Sequence, residues 1–343
     1  MRLTRLRLGA AGLAVAVVAA VAALWPPGGG GELVIYSAMG PPGAMIPAFE
    51  AETGLHVTYI NMGGGPLQAR IYAEGARPRW TVAWFVGDAA MAALDRAGLL
   101  ARHPPDGPDA DWPEADWTAE ARPLLPPDGA FLPTGLILAG VFVTRRTTPE
   151  PSPAWSALPE VAGGVGLVSP VASGTAFPVL SAMMEAAGGI DAGHSLLRKL
   201  RDRGLGVFAA NPLLIAQLRN GDMALGVLPS EAAYALAERD PGFRVTVPRP
   251  AGLMPAVIAV SAQATPAARA AAGRFIRFLL TPEGQRLVRQ STAEGFAWPP
   301  VVGVPAPPGL PRLADLALVH PDAEAWGARQ GSEIGWFRRE IAP

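Results

Sequence analysis

From residue 32 to about 100 the chain alternates short apolar runs with amphipathic stretches, and this alternation limits its fold more than any other feature. "ELVIYSA" reads as a buried strand, "PGAMIPAFEAETG" as a helix ending at Gly54, and "LHVTYINM" as a strand. "GGGPLQARIYAEG" then reads as a Gly turn opening a helix, "TVAWFVG" as a strand and "DAAMAALDRAGLL" as a helix. A β-α-β-α-β-α order implies a parallel sheet covered by helices, because each parallel strand needs a crossover connection. A Pro- and Trp-rich connection, "HPPDGPDADWPEADW", follows, and a second α/β set begins beyond it. Its strands are "GLILAGVFVTRR", "GGVGLVSP", "LGVFAAN" and "MALGVLPS", with helices expected at about 176–187, 191–203, 212–220 and 230–238. Strands in "FRVTVPRP" and "MPAVIAVSA" come next, then the helical pair "PAARAAAGRFIRFLLTPEGQRLVRQ" broken at Pro282. A Pro-rich stretch from 301 leads to a last amphipathic helix, "DAEAWGARQGSEIGWFRREI". At 343 residues the chain exceeds the size at which one core stops growing. Two α/β lobes are therefore expected: 32–135, completed by about 246–300, and 136–245 together with the tail 301–343.

Arg2, Arg5 and Arg7 precede "LGAAGLAVAVVAAVAAL", an apolar run of signal-peptide type that ends in small residues and "WPPGGGG". Residues 1–31 thus read as a signal peptide and Gly linker, with an A-x-A pattern at Ala20–Ala22 and a mature start near Gly28 to Glu32. The same run is long enough to serve as an uncleaved membrane anchor. Cysteine is absent, so no disulfide is needed in an oxidising compartment and no N-terminal Cys can carry a lipid. A soluble periplasmic monomer is the simplest expectation. With 28 basic against 29 acidic residues and Lys199 as the only lysine, there is no basic stripe to hold nucleic acid.

Enzyme signatures are missing. His56, His103, His194 and His320 show no metal-ligand spacing, and no metal or cofactor is expected. "GHSLL" at 193–197 lacks the second Gly of a nucleophile elbow, which makes His194 a solvated helix residue. "GGGPLQ" at 63–68 follows a strand and opens a helix but fails the dinucleotide spacing, and no Walker sequence occurs. Asp106 and Asp111 sit in the Pro-rich connection and read as solvated charge.

One turn stands apart. In "SPVASGTAF" a Ser-Gly-Thr sequence lies between a strand and a helix start, where it can cap the helix or present free N–H groups to an anion. Together with "LVIYSA…FEAETGLHVTYINMGGGPLQARIYAEG…GDAAMAALDRAGLL", "NGDMALGV" and "AAGRFIRFLLTPEGQRLV", it resembles the extracytoplasmic solute-binding proteins of ABC transporters. Within that family it looks like the group associated with ferric iron, which also holds binders of phosphonates, sugar phosphates and polyamines. The likeness covers nearly all of residues 32–343. It implies a type II periplasmic-binding-protein fold of two lobes joined by crossing strands, with the ligand in the cleft and a closed form that docks on an inner-membrane permease. Ligands in such sheets lie at the carboxyl ends of strands, which selects Tyr36, Ser37, Gly64, Gly65, Trp84, Ser173, Gly174, Thr175, Asn211 and Ser230 as candidate contacts. Each has a plainer role open to it: Tyr36 and Trp84 as core aromatics, the glycines as turns, Asn211 and Ser230 as helix caps.

The iron binders of this group carry adjacent tyrosines just after the strand equivalent to "MALGV", where hard phenolate oxygens suit Fe(III). This chain has "LPSEAAY" there: Pro229 and Ser230 supply no phenolate, and Tyr234 falls about a helical turn late. The resemblance therefore points to a non-catalytic importer component for a small oxyanion such as a phosphonate or organic phosphate. Three alternatives stay open: Fe(III) bound with a synergistic anion, a secreted enzyme on the same fold, or a membrane-tethered binding protein or sensor. The last would have a cleft lined by apolar groups such as Met39, Trp84, Phe208 and Met254.

Overall fold

The computed structural model describes residues 32–103, 114–291 and 295–342; the segment 1–31 with its expected cleavage pattern, and Asp106 and Asp111, lie outside the described residues. The first alternation forms as β1 (Glu32–Ser37), α1 (Met45–Thr53), β2 (His56–Asn61), α2 (Gly64–Glu74), β3 (Val82–Val86) and α3 (Asp88–Arg96). Gly54 ends α1 in the left-handed region at φ 68°, the conformation that glycine adopts without Cβ strain. β1 runs parallel to both β2 and β3. Its continuous apolar run is explained by burial on both faces: Leu33 and Ile35 pack with Phe49 of α1, while Val34 and Tyr36 pack with Leu67 and Ile71 of α2. α8 (Pro266–Leu280) and α9 (Pro282–Ser291) share the α1 side, and Phe49 meets Phe275 edge-on at 5.1 Å. Such an aromatic pair contributes about 0.5–1.5 kcal/mol beyond its buried area.

β10 (Ala251–Val260) lies antiparallel to β3 and to β4 (Leu132–Leu138), and β11 (Leu318–Val319) pairs with its start. Among the described residues these strands make one sheet in the order β11-β10-β3-β1-β2, with β4 on β10. The second sheet has the order β7 (Gly206–Phe208), β6 (Val165–Val168), β8 (Leu225–Leu228), β5 (Val141–Arg145), β9 (Phe243–Thr246). Its helices are α4 (Ala176–Ala186), α5 (Ile190–Asp202), α6 (Asn211–Asn220) and α7 (Ser230–Arg239).

"GLILAGVFVTRR", expected as one strand, is two strands in different sheets. The chain changes sheet at Ala139–Gly140, a little beyond the expected boundary at 135/136. Gly140 has φ 107°, and a Cβ there would stand 3.1–3.2 Å from Trp155, Val179 and Val227, so this position requires glycine. The chain returns to the first sheet between β9 and β10.

The tail 301–343, expected with the second lobe, is shared. β11 joins the first sheet, and α10 (Ala323–Glu340) lies against both lobes. Trp326 and Phe337 enter the core beneath α4 and α5, and Trp326 Nε1 donates to Glu185 Oε1 at 2.7 Å. Gly327 rests on α3, where a Cβ would come within 2.7 Å of the Ala89 carbonyl.

Candidate functional site

Between the lobes lies a cavity of about 620 Å³, walled by the ends of β1 and β3, the starts of α2 and α4, the stretch 209–210 and one face of α10. Gly64, Gly65, Ser173, Gly174 and Thr175 all line it.

Neither helix start is closed by a side chain. Gly63 precedes α2 without a capping group, and Thr175, at the N-cap of α4, makes no capping hydrogen bond. Instead the hydroxyls of Ser173 and Thr175 face each other at 3.1 Å. Ser169 holds their loop: its carbonyl accepts the N–H groups of Ala172 and Ser173 at 3.1 and 3.0 Å, and its Oγ accepts that of Val171 at 3.2 Å. Gly64, Gly65, Gly174, Thr175 and Phe177 keep N–H groups without a protein partner among the described residues. Two positive helix ends thus meet at one place.

The lobes touch there. A Cβ on Gly174 would stand 3.0 Å from the Cα of Gly64, and one on Gly64 would stand 3.2 Å from the Cα of Gly174. The rest of the wall is largely apolar, with Phe85, Val86, Phe177 and Ile334, and its other polar side chains are Gln68, Tyr72 and Gln330. Among the described residues no charged side chain lines it.

The other candidates are placed elsewhere. Tyr36 is fully buried beneath α2, where its hydroxyl donates to Glu74 Oε1 at 2.8 Å and the Arg70 guanidinium lies 4.5 Å from the ring centre. Burial, and then the bond to Glu74, push its phenol well above the usual range. Ser37 Oγ accepts from Tyr59 Oη at 2.7 Å and from the Met39 N–H at 3.1 Å, closing the end of β1. Trp84 is a core residue whose Nε1 donates to Thr134 Oγ1 at 2.8 Å. Ser230 Oγ accepts the Leu138 N–H at 2.9 Å and ties the start of α7 to the crossing strand. Asn211 faces a different cavity. Met39 and Met254 belong to the core of the first lobe and Phe208 packs with that of the second; none of them lines the cavity.

Glu231, beside Ser230, is buried with no partner for Oε2, and burial pushes its carboxyl up to about 8. Tyr234 is a half-buried core neighbour of Trp298, and burial pushes its phenol up to about 12. His194, read from sequence as solvated, instead stacks on Trp336 at 3.6 Å and sits 2.8 Å from Glu333 Oε2, where it fastens α5 to α10. Among the described residues no three of His, Asp and Glu come together as a metal site. Sequence reasoning missed Gln330, Gly331 and Ile334 of α10. The periodicity of that segment signals a helix but not the surface it covers.

The profile of one family, described as bacterial extracellular solute-binding protein, matches residues 44–317. No curated protein matches the chain. Among solved structures it is similar to iron-bound HitA from Pseudomonas aeruginosa, at 20% identity over 91% of this chain and 99% of that one, TM-score 0.71. It is also similar to AfuA from Actinobacillus pleuropneumoniae with fructose-6-phosphate bound, at 18% identity over 91% and 99%, TM-score 0.77. A third is Trichodesmium IdiA (FutA) in complex with iron and citrate, at 17% identity over 91% and 100%, TM-score 0.70. The shared architecture is the type II two-lobe fold, with two sheets flanked by helices.

Proposed function

The chain belongs to the bacterial extracellular solute-binding proteins, and on that premise we propose that it captures a small solute bearing one oxyanion and delivers it to an inner-membrane ABC permease. The observation that carries this is the pair of uncapped helix starts, α2 from one lobe and α4 from the other, meeting at Gly64 and Gly174. Free N–H groups and two helix dipoles suit a phosphate, phosphonate or carboxylate, and an anion held by both lobes stabilises the closed state. The apolar remainder of the wall suits an uncharged, largely apolar body on the same solute. A phosphate ester, as in the AfuA structure, agrees with this donor set better than bare iron, as in HitA. Iron calls for several carboxylate, phenolate or imidazole donors, and Tyr72 is the one such group on the wall among the described residues.

Thr175→Ala tests the reading. The hydroxyl does not cap α4, so its loss is expected to leave the melting temperature unchanged. A hydrogen bond to a charged group contributes about 1.5–3 kcal/mol, which makes the expected loss of affinity roughly 10- to 100-fold for the best ligand from a panel of phosphate monoesters, phosphonates and carboxylates. Calorimetry on wild type and variant measures it. Unchanged affinity, or no anion binding by the wild type, would overturn the proposal.

The Arg-led apolar run supports export to the periplasm. The mature N-terminus is expected between Val21 and Glu32, as N-terminal sequencing of periplasmic material would show. Intact Met1 chains in the membrane fraction would indicate the anchored form instead. Among the described residues no helix is long and apolar enough to cross a membrane.

A further inference from the structure

A second cavity, of about 700 Å³, opens between α6 and α7 of the second lobe and the end of α9, with the stretches 295–296 and 307–308 completing it. Its chemistry is opposite to that of the solute cavity. Arg219, Arg239 and Arg289 line it, against the single acidic residue Glu238 among the described residues. Among the described residues none of the three has a close carboxylate partner. Arg219 reaches Asp240 only at 3.9 Å, Arg289 donates to the Pro305 carbonyl at 3.5 Å, and Arg239 has no ion-pair partner among the described residues. In a chain of net charge −1 this is a local excess of positive charge in a concave site, where low-dielectric walls concentrate the field. Phe296, backed by the stacked ring of Tyr234 at 6.5 Å, adds a flat apolar surface.

We propose that this cavity is a separate binding site for a small polyanion carrying two or more negative charges, a polyphosphate or polycarboxylate. Guanidinium groups pair with such oxygens through two parallel hydrogen bonds, and several around one cavity can engage more than one acid group at once. Among the described residues the solute cavity has no charged side chain, and it offers N–H groups for a single anionic group, so the two sites differ in the charge they select. The proposal stands independently of the oxyanion reading, since it rests on different residues.

Inorganic pyrophosphate and citrate are the probes, titrated by calorimetry into the full chain. The variants are Arg239→Gln with Arg289→Gln, the milder Arg289→Lys, and Thr175→Ala. One probe or both is expected to bind wild type with an affinity that falls as salt rises. About a tenfold loss is expected for each arginine removed, partial retention in Arg289→Lys, and no change in Thr175→Ala. Melting temperatures identify any variant that fails to fold, and Arg289→Lys then carries the comparison. Binding that survives intact in the double variant, that disappears in Thr175→Ala, or that is absent for both probes at millimolar concentration would overturn the second site. Failure of Thr175→Ala to affect solute binding bears on the oxyanion reading alone.

Discussion

Gly174→Leu is expected to abolish tight solute binding while leaving the fold intact. Neither Gly174 nor Gly64 occupies the left-handed region, so the backbone of each lobe tolerates a side chain. The obstacle arises only where the lobes meet: a Cβ on Gly174 lies 3.0 Å from the Cα and 3.4 Å from the N of Gly64, backbone atoms that cannot rotate aside. Forcing extra carbons into a packed contact costs about 1–3 kcal/mol and sometimes more. Because that cost falls on the closed state alone, it subtracts from the closing equilibrium and hence from apparent affinity. At about 1.4 kcal/mol per decade, the loss is roughly 10-fold for Gly174→Ala and 100-fold or more for Gly174→Leu. Melting temperatures without ligand should stay near wild type, as for other exposed substitutions. Small-angle scattering should show the leucine variant keeping an open form when ligand is added. Near-normal affinity in Gly174→Leu would mean that the approach of Gly64 and Gly174 is not part of the bound state.

The same two turns show what the sequence reveals and what it conceals. Gly64, Gly65 and Ser173–Thr175 line the cavity between the lobes, and local sequence can point to such positions because each follows a strand and opens a helix. Tyr36 and Trp84 are not legible in that way. Both lie in strands buried on two faces, where apolar residues run on without alternation and nothing marks which side chain ends at the cleft. Their polar atoms are satisfied by Glu74 and Thr134, far away in sequence. The lobe crossing was hidden for a related reason: "GLILAGVFV" is apolar throughout because both of its strands are buried, and Gly140 alone betrays the break. Ser230 sits where a cap is expected, yet its hydroxyl serves the N–H of Leu138, a tertiary bond that local sequence cannot specify. Wall residues on α10 depend on how a terminal helix docks between two lobes, and the family profile ends before that helix begins.

Glu231 should make the protein lose stability as pH rises from about 4.5 to about 8, and Glu231→Gln should remove that loss. The residue lies in the first turn of α7, where the helix dipole and its own backbone N–H favour the carboxylate, yet burial outweighs both. An unfolded chain releases this proton near 4.5, whereas the folded chain holds it to about 8. Between those values the native state binds the extra proton, so rising pH favours unfolding by about 1.4 kcal/mol per unit. The stabilisation is complete below the unfolded value and is lost as pH climbs through the folded one. Glutamine has the shape of the protonated acid and cannot ionise. Any unmet hydrogen bond of its amide shifts the variant by an amount that does not depend on pH. The difference in unfolding free energy between variant and wild type should therefore grow through this window and level off above it, reaching several kcal/mol in favour of glutamine. Urea denaturation of both proteins at pH 5, 6.5 and 8.5 measures the slope, with changes from other titrating groups cancelling in the difference. Parallel pH profiles would show that Glu231 ionises at an ordinary pH, and so that water or a cation reaches its carboxylate in solution.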